Sequence, residues 1–120
     1  MSFVKNLYAK YLYSKGLNAQ KTGQLPMAVE LMEQSSDILW TMISEGEDKY
    51  EDEYARTKMN LGLIYHKLGK TDDSICSFQI SILKFKALIS KGRADLLDDL
   101  AKAEATFKHL YGEAGEATTT

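Results

Sequence analysis

Two histidines, one cysteine and two acidic pairs are the residues here whose chemistry reaches beyond packing and solvation. His66 and His109 share neither a helix nor a metal-ligand spacing, so neither is expected to hold an ion or move a proton in catalysis. Asp72-Asp73 and Asp98-Asp99 read as helix-start and surface charges rather than a general acid and base. Cys76 is the only cysteine, which excludes an intrachain disulfide, fits a reducing compartment and predicts a small buried hydrophobe. No Gly-rich phosphate loop, paired Cys ligands or His-Glu-x-x-His helix is present, so no enzymatic activity, cofactor, metal or small-molecule substrate is expected.

The chemistry that does recur is that of recognition. Gly23, Gly69 and Gly115 stand 46 residues apart, each after a helical pattern. Thirteen residues before them stand Lys10, Arg56 and Lys102, a cation in every copy. Nine before are Ser14, Asn60 and Thr106, and ten before are Tyr13, Met59 and Ala105. Six before are Leu17, Leu63 and His109, and two before are Lys21, Lys67 and Glu113. On one layer of helices these positions form a basic face with a polar and apolar floor, suited to an acidic partner.

Five helices are needed to position them. Phe3, Val4, Leu7, Tyr8, Tyr11, Leu12 and Ala19 recur at helical steps and predict an inward stripe on a helix over 3–21. Gly23 and Pro26 then end that helix and start the next, over 26–44, with Val29, Met32, Ser36, Leu39, Trp40 and Ile43 inward. A third helix over 49–68 carries Tyr54, Leu61, Ile64, Tyr65 and Leu68, its stripe interrupted by Lys58. The fourth, to about 91, is capped by Thr71 or Asp72 and turns Ile75, Phe78, Ile82, Phe85 and Leu88 inward. Leu96, Leu97, Leu100, Phe107 and Leu110 define a fifth over 94–111. The prediction is one all-α domain over 1–115, built of helix pairs at 3–44 and 49–91 plus a half repeat at 94–111, with 116–120 a frayed tail.

The run Asn60-Leu61-Gly62-Leu63-Ile64-Tyr65-His66-Lys67-Leu68-Gly69, followed by Ser74, Phe78 and Ser81, resembles the tetratricopeptide-repeat family. Gly16, Gly23, Ala28, Met32 and Ser35 fit the same frame in the first copy. Lys15 and Ala19 replace the family's Leu and Tyr, no proline closes either repeat, and the period exceeds the family's usual length, as in repeats of the kinesin light-chain kind. The resemblance implies an α-α superhelix with a capping C-terminal helix and a concave groove for a partner peptide or helix, with Asn60 bonding the ligand's backbone and Arg56 beside it. Of the five polar residues with which the family holds chaperone tails, only Asn60 and Lys102 are present, so that ligand is not expected.

Composition sets the outer limits. A net charge of −2 argues against a dedicated nucleic-acid binder. The first residues lack the apolar core and cleavage site of a signal peptide, and no apolar run is long enough for a bilayer, which predicts a cytoplasmic protein. The leading functional expectation is a protein-binding module, adaptor or scaffold. The alternatives are a homodimer or filament built through the apolar residues of the fifth helix, and a trafficking-type helical hairpin in 1–45.

Overall fold

The computed structural model describes residues 2–112. They form five α-helices, α1 (Ser2–Lys21), α2 (Leu25–Ser44), α3 (Glu51–Lys67), α4 (Thr71–Ser90) and α5 (Leu97–Tyr111), and no strand. The fold is all-α, as the periodicity predicts. Short 3-10 turns at Asp48–Tyr50 and Ala94–Leu96 lead into α3 and α5, so both helices start two to three residues later than the predicted 49 and 94. Gly115, Glu113 and the tail 116–120 lie outside the described residues. α5 ends at Gly112, which takes a positive φ of 58°.

The 46-residue period is a property of the backbone. Gly23 and Gly69 adopt φ of 80° and 76°, and the following amides, of Gln24 and Lys70, close back onto the carbonyls of Ala19 and Tyr65 at 2.8 and 2.9 Å. A second pair sits in the same frame: Gly46 and Gly92 (φ 96° and 107°) end α2 and α4, and the amides of Glu47 and Arg93 bond Met42 and Leu88 at 3.0 and 3.1 Å. Only glycine takes that left-handed turn without steric cost.

Within each pair the helices cross at a glycine. A Cβ on Gly16 would stand 2.7 Å from Met32 Cγ, and one on Gly62 2.7 Å from Phe78 Cδ2. Met32 and Phe78 are fully buried in those notches. Small serines assist: Ser35 donates to the Ala9 carbonyl at 2.8 Å and Ser74 to the Gly62 carbonyl at 2.7 Å. Side-chain contacts then order the helices in two layers. α1, α3 and α5 are linked by Asn6–Glu53, Asn60–Tyr13 and Arg56–Asp99, while Lys84 of α4 lies over the Trp40 ring of α2.

Four expectations need correction. Phe3, Val4, Leu7, Tyr8 and Tyr11 point outward, each more than half exposed, and the buried side of α1 is Asn6, Ala9, Leu12, Gly16 and Ala19. Trp40 is also exposed, covering Tyr54 from outside with ring centroids 5.4 Å apart. Cys76 is exposed on α4, because the buried face of that helix is already filled by Ser74, Ser77, Phe78, Ser81 and Phe85. The N-cap of α4 is Lys70 rather than Thr71 or Asp72, and no side chain caps it; Asp72 and Asp73 lie in its first turn, where carboxylates suit the helix dipole.

Candidate functional site

The layer of α1, α3 and α5 brings the recurring positions together. Lys10, Ser14 and Lys21 are exposed on α1, with Tyr13 and Leu17 half-buried beside them. On α3, Arg56, Asn60 and Leu63 are half-buried and Lys67 is exposed. On α5, Lys102 and His109 are exposed and Thr106 is half-buried. Met59 is the exception: it is 5% exposed and packs with Phe78 and Phe85, so it belongs to the core and leaves no surface for a ligand. Leu17 and Leu63 likewise lean on the core clusters, as the floor of the face rather than its rim.

The cations of the frame have a structural task. Lys10 lies 3.7 Å from Glu53, and Arg56 lies 3.5 Å from Asp99. Glu53 and Asp99 share one frame position, so each cation meets the carboxylate of the following copy. Arg56 also reaches Asp52 at 3.2 Å, and Asp52 is shared with Arg93 at 3.6 Å. Partial burial works against the Arg56 charge, but Asp99 and Asp52 outweigh it and hold the guanidinium pKa above its usual value. The face around Arg56 is therefore of mixed charge, which corrects the expectation of a plainly basic groove. No ion pair engages Lys21, Lys67 or Lys102 among the described residues.

Asn60 sits at the centre. Its Nδ2 donates to the Tyr13 hydroxyl at 2.7 Å and to the Arg56 carbonyl at 3.0 Å, which uses both amide protons. What remains for a ligand is the Oδ1 acceptor, a narrower role than donating and accepting at once. Tyr13 closes one side of a cavity of about 120 Å³ between α1, α2 and α3, lined also by Ala9, Lys10, Ser35, Leu39 and Arg56. Burial raises the Tyr13 pKa, opposed by the charge of Arg56, so the hydroxyl stays protonated.

The far end of the layer is tied by a chain of hydroxyls. Ser74 spends its one proton on the Gly62 carbonyl and accepts from the Tyr111 hydroxyl at 2.7 Å. The contact of 3.0 Å between Tyr111 and His66 Nδ1 must then be made by a proton on Nδ1. The bonds together join α3, α4 and α5. His66 is thus a structural residue, and no group of three or more His, Cys, Asp or Glu among the described residues is arranged to hold a metal.

Asp52 and Glu53 are the residues of this face that sequence reasoning passes over, and Asp99, read there as a helix-start or surface charge, is a partner of Arg56. Their signal was present: in the second and third copies a carboxylate stands three residues before the frame cation. Comparison with protein-family models, with curated proteins and with solved structures gives no match.

Proposed function

We propose that this chain is a non-catalytic protein-interaction module of tetratricopeptide type, which takes a partner segment across α1, α3 and α5. The observation that carries this reading is the division of labour on that face. Lys10 and Arg56 are occupied in linking successive copies, while Lys21, Lys67 and Lys102 stand exposed around an Asn60 whose Oδ1 is left to accept. An acidic segment fits this arrangement, its carboxylates meeting the lysines and a backbone N–H meeting Asn60. Exposed lysines act as a steering field more than as tight anchors, so binding is weak to moderate and falls with salt. No helix among the described residues is long and apolar enough to cross a membrane, consistent with a cytoplasmic adaptor or scaffold.

The experiment is quantitative affinity capture from cells of the source organism with wild type and a Lys21→Glu, Asn60→Ala, Lys67→Glu variant. These side chains stand on exposed or half-exposed positions, so the variant keeps the fold, checked by circular dichroism. A protein retained by wild type and lost with the variant supports the groove; identical captures contradict it.

The α5 residues named for a homodimer differ in exposure. Leu96 and Phe107 are buried in the core and Leu100 and Leu110 pack against it, which leaves Leu97 alone in the open.

A further inference from the structure

The apolar surface that the fold leaves unused is on α1. Phe3, Val4, Leu7, Tyr8 and Tyr11 are 71%, 60%, 51%, 52% and 55% exposed, and lie side by side over three helical turns. Together they form a patch on the order of 500 Å², at the upper end of what a monomer leaves open.

The repeat shows what shape covers such a face. In the 46-residue frame Val4, Tyr8 and Tyr11 correspond to Tyr50, Tyr54 and Thr57, and then to Leu96, Leu100 and Ala103. Tyr54 and Thr57 are buried, with Tyr50 and Tyr54 packed against Leu39, Ile38 and Ile43 of α2. Leu96 and Ala103 are buried with Phe85 and Leu88 of α4. In both later copies the second helix of the preceding pair lies on the equivalents of Val4, Tyr8 and Tyr11, while Phe3 and Leu7 correspond to Lys49 and Glu53 and then to Asp95 and Asp99; on α1 all five positions are open. The spacing on α1 adds a second fact. Turned antiparallel about a point between residues 7 and 8, the helix sets Val4 opposite Tyr11 and Leu7 opposite Tyr8, a large residue against a smaller one each time. The flanking lysines do not oppose this, since Lys5 is held by Glu45 at 3.5 Å, Lys10 by Glu53, and Lys15 lies over the Tyr11 ring.

We propose that α1 docks against α1 of a second copy of this chain, as a two-fold antiparallel helix pair. The contact closes at two. At the opposite end the α5 positions equivalent to the inner side of α1 are Asp98, Ala101, Glu104, Lys108 and Tyr111, three of them charged, a poor seat for an apolar helix that would extend the array. A specific interface commonly buries about 800 Å² per partner, so this smaller one gives a weak dimer. The groove between α1, α3 and α5 remains available, and the proposal stands or falls independently of that reading.

Sedimentation equilibrium of the full chain over a wide concentration range tests it, alongside a Leu7→Glu, Tyr8→Glu variant and Leu97→Glu as a control on α5. Residues 7, 8 and 97 are half exposed, so each variant keeps the helical spectrum of the wild type. The expected result is a monomer–dimer equilibrium that the α1 variant weakens at least about tenfold and the α5 control leaves unchanged. A mass that stays monomeric to millimolar concentration overturns the proposal, including the case in which α1 instead binds lipid vesicles or another protein. A dimer that survives Leu7→Glu, Tyr8→Glu overturns it equally.

Discussion

Gly62→Ala sets helix propensity against packing, and the structure decides which wins. In an exposed helix the change adds about 1 kcal/mol of stability. Here the new methyl would stand 2.7, 2.8 and 3.0 Å from three atoms of the Phe78 ring, where carbon atoms rest at about 3.5–4.0 Å. The ring is fully buried and packs on Phe107, with centroids 5.8 Å apart, so it has no space to retreat. Overpacking of this sort costs about 1–3 kcal/mol. Taking the upper end, the net loss is about 2 kcal/mol, or roughly 8 °C in Tm at about 4 °C per kcal/mol for a domain of this size. Gly16→Ala meets Met32, an unbranched side chain that adapts by rotation, and loses less. Phe78→Met, which copies the first repeat into the second, should recover part of the loss in the Gly62→Ala background. Urea unfolding of the four proteins gives each value. A Gly62→Ala protein as stable as wild type would refute the close crossing of α3 and α4.

Three further outcomes follow from the same coordinates. Ser35→Ala removes a buried bond to the Ala9 carbonyl and costs about 1 kcal/mol, whereas Ser81→Ala, at the same frame position, is neutral or stabilising because Ser81 Oγ is buried with no partner among the described residues; urea midpoints separate them. Tyr65 is buried and donates to Glu33, which raises its pKa above the ordinary value of 10.0, so its proton favours the folded state as soon as the unfolded tyrosine begins to ionise. Stability should therefore be full below about pH 10 and fall as pH rises beyond it, with a shallower fall in Tyr65→Phe, measured by unfolding between neutral and strongly alkaline pH. Arg56→Ala removes links to Asp99 and Asp52 that are partly open to solvent, and costs about 1 kcal/mol at low ionic strength and less in high salt.

Much of the fold was legible because its signals are local. A glycine required at positive φ marks a helix end in any context, and Gly23 and Gly69 set the frame from the sequence alone. Gly46 and Gly92 carry the same period but sit where an acidic stretch obscures it in the first copy. The α1 stripe shows the limit of periodicity, which finds an apolar face without saying which way it turns. Small residues line the true core side of α1, because Gly16 and Ala9 let α2 approach closely, and the larger residues are left outside. At the candidate site the types and frame of Lys10, Arg56 and Asn60 were legible, but their engagement was not. Glu53, Asp99 and Tyr13 reach them from neighbouring helices, a relation set by packing rather than by sequence distance.

The central claim is that the α1, α3 and α5 face binds an acidic partner segment through its free lysines and Asn60. Selection from a random displayed peptide library on wild type, counter-selected on the Lys21→Glu, Asn60→Ala, Lys67→Glu variant, tests it most directly. The account predicts enrichment of Asp- and Glu-rich peptides whose affinity falls about tenfold in the variant and weakens with added salt. Peptides without acidic bias, or peptides that bind both proteins alike, would contradict it.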